Sequence, residues 1–292
     1  MTAATSPARA GLFLFAALFC AVVSPASAQG DAKRGAYLAQ AAGCAGCHTE
    51  AKQDAVPYAG GRELKTPFGT FFGPNITPHP EAGIGRWSEA DFLRALRSGV
   101  RPDGAHYFPA FPYPSFTLIT DADARDLWAF FRSLPPNARN SRPHELRAPY
   151  GWRFMVGPWK WMFFTPGPFA VEPGRSPALN RGAYLVEALG HCGECHTPRN
   201  ALGGTKRERR LAGTAEGPEG KSVPNLTPAK LKKWDDRDLR EFLSSGITPD
   251  GDVPAETMGE VIRNTTSQLT AEDLSAVIAY LRALPALPDE PR

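Results

Sequence analysis

The chain has 292 residues, of which 42% are hydrophobic and 22% charged, a globular composition with enough length for two compact domains. The formal net charge is only +3, and no basic patch stands out in the sequence. The charge pattern therefore argues against nucleic acid as a partner.

Residues 1–28 are predicted to be a secretory signal peptide that is removed from the mature protein. Arg9 provides a positive charge before the apolar run 11–23, and A-S-A at 26–28 provides small residues for cleavage. The apolar run is too short to span a bilayer comfortably, which favours cleavage over an uncleaved anchor. Export by this route predicts a periplasmic protein that loses Cys20 with its signal.

Two short stretches carry the clearest chemical pattern, C-A-G-C-H at 44–48 and C-G-E-C-H at 192–196. Their C-x-x-C-H spacing is typical of covalent c-type haem attachment. The two cysteines can form thioethers to the vinyl groups of one porphyrin, and the adjacent histidine is then delivered to the iron. We therefore predict two covalently bound haem c groups. The predicted attachment residues are Cys44, Cys47, Cys192 and Cys195, and the predicted proximal iron ligands are His48 and His196.

Different roles for these cysteines explain the pattern less well. Disulfides are common in exported proteins, but they give no reason for a histidine directly after each pair. A zinc site is disfavoured by export and by the duplicated C-x-x-C-H motif. A thioredoxin-like site would need a βαβ setting, and strand patterns are scarce in this sequence.

The chain contains two copies of one pattern, which sets the number of domains. The repeated pairs are R-G-A-Y-L at 34–38 and 181–185, N-x-T-P at 75–78 and 225–228, and P-D-G at 102–104 and 249–251. We therefore predict domain 1 at residues 29–140 and domain 2 at residues 178–288, joined by a linker at 141–177.

Both copies are predicted to be helical at their ends. Asp31 is a candidate N-cap for the first helix, and Thr120 and Thr270 begin the last helix of each copy with capping-box-like spacing. Gly35 and Gly182 lack side chains, so the first helix of each copy can cross a partner closely there. Pro- and Gly-rich loops between the helices argue against a large sheet. The predicted fold class is all-α.

With these motifs the sequence resembles the class I c-type cytochromes. More narrowly, it is similar to the cytochrome c subunits of periplasmic alcohol- and gluconate-type dehydrogenases, which carry R-G-x-Y-L, C-x-x-C-H-T, N-I-T-P, W-S-x-x-D-F and Y-P-A-M-P-Y runs. The resemblance covers nearly all of residues 31–285 and implies two tandem class I cytochrome c domains. Those subunits commonly have three haem domains, whereas two are found here.

The second axial position of the iron differs between the copies. Met258 lies seven residues after Gly251, in the segment before the last helix, where the resemblance places a methionine ligand. Filling a gap in the core is the commoner role of methionine. We nevertheless predict Met258 as the distal ligand of haem 2, the haem of domain 2.

The matching position in domain 1 is Phe111, which cannot bind iron. His106 lies in the same loop and is a candidate distal ligand of haem 1. His79, Met155 or Met162 could take this role instead, or the axial site could be open. His191 is interpreted as a loop residue beside its haem motif.

Aromatic residues suggest two further roles. Trp87 and Trp234 occupy matching places and could donate an indole N–H to a haem propionate, although ordinary core packing would also explain them. Residues 149–171 contain seven Trp and Phe side chains interrupted by Pro and Gly. We expect either an aromatic belt packed between the domains or a docking surface for a membrane or a partner dehydrogenase.

These features together predict a periplasmic dihaem cytochrome c that relays single electrons from a dehydrogenase to a downstream cytochrome or oxidase. A methionine ligand raises the haem potential, so electrons are expected to run from haem 1 to haem 2. The competing hypothesis is a dihaem redox enzyme, peroxidase-like or sulfur-compound-oxidising, with an open or exchangeable haem 1. The sequence shows no charged cluster near Phe111 for acid–base catalysis, which favours the carrier.

Overall fold

The computed structural model describes residues 1–3, 30–217, 220–254 and 256–289. The predicted signal peptide lies outside the described residues except for its first three. None of the described helices is long and apolar enough to cross a membrane.

Each domain brackets its haem motif between a first helix and a last helix. The helices of domain 1 are α1 (Ala32–Ala41), α2 (Cys44–His48), α3 (Glu89–Ser98), α4 (Tyr113–Phe116) and α5 (Asp121–Ser133). The linker contributes α6 (Val156–Phe163). The helices of domain 2 are α7 (Pro177–Tyr184), α8 (Gly193–His196), α9 (Pro228–Leu231), α10 (Asp236–Ser245), α11 (Glu256–Asn264) and α12 (Ala271–Ala283).

Side-chain caps begin these helices as the sequence predicts. The Asp31 carboxylate accepts from two backbone N–H groups in the first turn of α1. Thr120 and Thr270 each accept from the backbone N–H three residues later, at 3.2 Å, at the start of α5 and α12. The caps satisfy amide groups that have no partner within the helix.

The first and last helices of each domain cross at glycine. A Cβ atom on Gly35 would lie 1.9 Å from the carbonyl oxygen of Asp126, where α1 crosses α5. A Cβ atom on Gly182 would lie 2.0 Å from the carbonyl oxygen of Ala276, where α7 crosses α12. The predicted close crossings are therefore confirmed in both domains.

The all-α prediction is incomplete, because a small antiparallel sheet lies beside the haem motif of domain 1. Strand β1 (Glu63–Thr66) pairs with β2 (Gly69–Phe72), and β2 pairs with β3 (Glu145–Leu146), with Gly69 opposite Leu146. These strands are too short for an alternating pattern to be recognised in the sequence. The third strand also comes from the linker, so the linker is part of the structure of domain 1.

The two domains are joined by a reciprocal exchange of tyrosines. The Tyr37 hydroxyl donates to Asp273 at 2.5 Å, at the start of α12 in the other domain. The Tyr184 hydroxyl donates to Asp123 at 2.5 Å, at the start of α5. Each tyrosine also accepts from the backbone N–H of the threonine cap on that helix, at 3.3 and 3.2 Å. Both tyrosines belong to the repeated R-G-A-Y-L motif.

Candidate functional site

A cavity of about 960 Å³ lies in domain 1, and the first C-x-x-C-H motif lines it. Cofactor sites have volumes of about 300–1,000 Å³. Cys44, Cys47 and His48 of α2 reach the cavity from one side. Apolar side chains form much of its wall, among them Trp87, Phe92, Leu96, Phe111, Phe116, Leu127 and Phe131. Such a wall suits a large, flat, apolar ring.

The predicted proximal histidines are oriented identically in the two domains. The Nδ1 atom of His48 lies 2.7 Å from the carbonyl oxygen of Pro74, and Nδ1 of His196 lies 2.7 Å from that of Pro224. A carbonyl oxygen only accepts, so Nδ1 is the donor and Nε2 keeps its lone pair for a metal. Burial lowers the pKa of both histidines, which favours the neutral ring that binds iron.

The asparagine of each N-x-T-P repeat directly follows the proline whose carbonyl contacts the histidine, and it holds that proline in place. Asn75 is buried, and its side-chain amide donates to the carbonyl oxygens of Asn137 and Arg139 at 2.8 and 2.9 Å. The buried Asn225 donates in the same way to Leu287 at 2.8 Å. Each asparagine thus ties the loop behind its histidine to the chain that follows the last helix. The repeated proline before each asparagine is visible in the sequence, where it indicates only a turn.

The cysteines of the two motifs are free thiols. Burial raises the pKa of Cys44 and of Cys192 to about 12, so both thiols are protonated at neutral pH. Paired cysteines beside an oriented histidine are the donor set that covalent haem attachment requires. The residues present therefore fit a haem c in each domain.

On the distal side of domain 1, the structure brings Phe111 to the cavity wall. The Nδ1 atom of His106 lies 3.0 Å from Nζ of Lys160, and its ring faces α6 in the linker. Met155 and Met162 are 46% and 48% exposed. Among the described residues that line the cavity, His106 and the two methionines are absent. Their positions therefore do not support a role as ligands of haem 1.

Met258 lies in helix α11, before the last helix of domain 2. It is partly buried and packs against the hydrophobic core. Helix α11 also packs against α2, which carries the first haem motif. Arg62 and Glu260 form an ion pair at 2.7 Å between the two domains beside this contact.

The two tryptophans predicted as propionate partners have different surroundings. Trp87 lines the cavity of domain 1. Trp234 is partly buried, and its ring meets that of Phe242 edge to face at a centroid distance of 5.1 Å. The second contact is ordinary aromatic packing.

Three arginines at the same cavity are functional candidates that sequence reasoning missed. Arg101, Arg142 and Arg153 all line it, and Arg142 and Arg153 come from the linker. The guanidinium carbon of Arg142 lies 3.9 Å from the centroid of the Phe72 ring, and that of Arg153 lies 4.4 Å from the centroid of the Phe108 ring. Arginine pairs readily with carboxylates, including haem propionates. Because the linker lies outside the repeat, comparison of the two copies could not reveal Arg142 and Arg153.

The aromatic linker contacts both domains on one side and has exposed aromatic side chains elsewhere. On the buried face, Nζ of Lys160 donates to the carbonyl oxygens of Ser98 and Gly99 in domain 1, and the Trp159 indole donates to Leu202 of domain 2 at 3.0 Å. On the other face, Trp152, Phe154 and Trp161 are 53%, 75% and 87% exposed. The linker therefore packs between the domains and also presents an aromatic surface to the outside.

The comparisons with known proteins match both copies of the repeat. The family model described as cytochrome c matches residues 32–135 and 179–285. A "Diheme cytochrome c-type" protein of Cereibacter sphaeroides is 48% identical over 262 residues, which cover 88% of this chain and 87% of that protein.

Several similar proteins are named as dehydrogenase subunits. The cytochrome c subunit of the quinone alcohol dehydrogenase of Gluconobacter oxydans is 38% identical over 270 residues, covering 88% of this chain and 55% of that subunit. The fructose dehydrogenase cytochrome subunit of Gluconobacter japonicus is 38% identical over 269 residues, covering 90% of this chain and 54% of that subunit. The chain thus spans only about half the length of these dehydrogenase subunits.

Proposed function

The chain belongs to the cytochrome c family, and from this we propose that it is a periplasmic dihaem cytochrome c that relays single electrons. It would be exported through the signal peptide at 1–28, accept electrons from a dehydrogenase and pass them to a downstream cytochrome or oxidase. The observation that carries the proposal is the matched pair of histidines, each held by a proline carbonyl beside two free thiols.

When bound, the two haems supply iron that takes up and releases one electron at a time. The cysteine pairs would hold each haem covalently, and Nε2 of His48 or of His196 would bind its iron. The hydrogen bond at Nδ1 keeps the ring from rotating and raises its basicity as a ligand. The apolar wall of the domain 1 cavity would keep water away from the haem. This reduces the rearrangement of solvent when the charge of the iron changes.

We propose Met258 as the distal ligand of haem 2 and a site without methionine at haem 1. The support is the presence of Phe111, and not His106, at the cavity wall. Methionine ligation raises the potential, so electrons would pass from haem 1 to haem 2. A potentiometric titration that places haem 1 at an equal or higher potential would contradict this direction.

We propose further that the haem 1 propionates are held by Arg101 and Arg153, with Trp87 as an additional donor. The matching role for Trp234 at haem 2 rests on its equivalent position in the repeat. Replacing Arg153 by Gln would remove a positive charge beside a propionate and lower the potential of haem 1. An unchanged potential would contradict this assignment.

The exposed aromatic face of the linker is the proposed docking surface for the partner dehydrogenase. The names of several relatives as dehydrogenase subunits support a protein partner over a membrane. Trp161→Ser combined with Phe154→Ser should slow reduction by the partner while leaving both haem potentials unchanged. Unchanged reduction, or loss of vesicle binding instead, would contradict this choice of partner.

The proposed function is tested on the mature protein produced in a host that matures c-type cytochromes. We expect two covalent haems per chain, a periplasmic location and two one-electron transitions. Replacing Cys44 and Cys47 by alanine should leave one haem, and so should the matched change at Cys192 and Cys195. Colourless protein, or haem removable by acid extraction, would contradict the proposal.

The presence of Phe111 at the cavity wall also favours one second candidate function. An open face at haem 1 could bind a small oxidant or a sulfur compound, as a dihaem redox enzyme would. Binding of cyanide to the oxidised protein, or of carbon monoxide to the reduced protein, would support the enzyme. A haem 1 that exchanges neither ligand would leave only the carrier.

A further inference from the structure

His191 has an unusual backbone conformation directly before the second haem motif. Its φ angle is +38°, in the left-handed region that residues with a Cβ atom seldom adopt. The matching residue of domain 1 is Gly43, with φ +61°, and glycine adopts this conformation freely. Strained residues of this kind cluster at functional sites. Domain 2 therefore has a histidine where the fold itself favours glycine.

The His191 side chain reaches into the other domain. Its ring lies 5.4 Å from that of Phe116, between centroids, and it contacts the backbone of Ala42. Phe116, Ala42 and His191 all line the cavity of domain 1. Among the described residues that line this cavity, His191 is the only one from domain 2.

The same residue is bonded to Cys192, a predicted attachment point of haem 2. The second motif itself contacts domain 1, because the Ser115 hydroxyl donates to the Glu194 carboxylate at 2.9 Å. His191 thus touches the site of haem 1 with its ring and joins the site of haem 2 through its backbone.

We propose that His191 is the positioning residue that couples the two haem sites for electron transfer between them. This inference rests on the proposed function. The transfer moves one electron, oxidising ferrous haem 1 to the ferric state and reducing ferric haem 2 to the ferrous state, and it needs no other reactant. The His191 ring lines the cavity of domain 1 and its backbone is bonded to Cys192, so a route through this residue follows protein atoms instead of solvent.

A purely structural role does not account for this placement. The domains are already joined by the exchanged tyrosines Tyr37 and Tyr184. Glycine at the matching position of domain 1 supports the same turn into a haem motif. Glycine at 191 would relieve the backbone strain, so the turn itself does not require a histidine.

The test compares His191→Gly and His191→Asn with the native holoprotein. Asparagine tolerates the left-handed conformation and keeps a hydrogen-bonding side chain, but it lacks the ring. In each protein, a redox titration first gives the potentials of the two haems. The rate at which electrons equilibrate between the haems is then measured after flash reduction and compared at equal potential difference. Asp54→Asn is the control, because Asp54 also has a left-handed φ angle (+63°), is exposed and lies outside the cavity lining.

We expect both His191 variants to equilibrate several-fold more slowly than the native protein and the Asp54 variant. Both should still carry two haems that an external donor reduces fully, which keeps this test separate from that of the proposed function. Native rates in both variants would overturn the inference. Slower rates accompanied by loss of haem 1 or by lower thermal stability would also overturn it, because they would assign His191 a structural role.

Discussion

The exchanged tyrosines allow a quantitative test of how the two domains hold together. Tyr184 is 5% exposed, and its hydroxyl donates at 2.5 Å to Asp123, which is 3% exposed. A hydrogen bond to a charged group contributes about 1.5–3 kcal/mol to stability. Replacing Tyr184 by Phe also removes the acceptor of the Thr120 backbone N–H. We therefore expect this variant to lower the free energy of unfolding by about 3 kcal/mol.

The structure provides both a matched variant and a control for this measurement. Tyr37→Phe should lower the free energy of unfolding by about 2 kcal/mol, because Tyr37 is only partly buried and water can replace part of the lost bond. Tyr113 is fully buried, but its hydroxyl has no hydrogen-bond partner among the described residues. Tyr113→Phe should therefore leave stability unchanged or raise it, because it removes an unsatisfied polar group.

The assay is denaturant unfolding of the holoprotein, followed by far-ultraviolet circular dichroism and by the haem absorbance of each domain. Both signals should shift together for Tyr184→Phe, because the bond joins the two domains. A loss of stability no larger for Tyr184→Phe than for Tyr113→Phe would refute the reasoning.

Three further outcomes follow from the structure. Phe111→Met should give haem 1 a low-spin, methionine-ligated spectrum and a higher potential in a redox titration, whereas an unchanged spectrum would show that another ligand already occupies the site. Burial raises the pKa of Asp273, but hydrogen bonds from Arg181 and Tyr37 outweigh it and hold the pKa below the usual value of about 3.9. The stabilisation from these hydrogen bonds is fully present above the usual pKa of the carboxyl group and is lost as the pH falls through the lowered pKa. The loss of unfolding free energy caused by Tyr37→Phe should therefore be smaller when unfolding is measured in acid. Gly182→Ala should lower the free energy of unfolding by about 3 kcal/mol, because its Cβ would lie 2.0 Å from a backbone carbonyl of α12, and a normal melting temperature would contradict the close crossing.

The sequence predicts features that depend on local spacing. The helix caps at Thr120 and Thr270 and the crossings at Gly35 and Gly182 could be found because each involves a short pattern that occurs twice. Pro74 and Pro224 are visible in the sequence as a repeated residue. That their carbonyl oxygens accept from the histidine rings is known only from the structure.

Features that join distant segments had no such signal. Tyr37 and Asp273 are 236 residues apart in the chain, so no local pattern connects them. Arg142 and Arg153 lie in the linker, where there is no second copy for comparison. The position of His106 against Lys160 depends on how α6 folds back onto domain 1, which a short helix between proline-rich loops does not encode locally.

The reciprocal tyrosine contacts also bear on how this architecture arose. Contacts in which residue i of one unit meets residue j of the other, and the reverse, are what a closed two-fold assembly of identical subunits produces. A single-domain ancestor that paired with itself would need only gene duplication and fusion to give this chain. After such a fusion, each copy could change without altering the other. The matching positions Phe111 and Met258, and Gly43 and His191, illustrate this. On this route, covalent tethering would turn a symmetric pair into one molecule whose two domains can specialise.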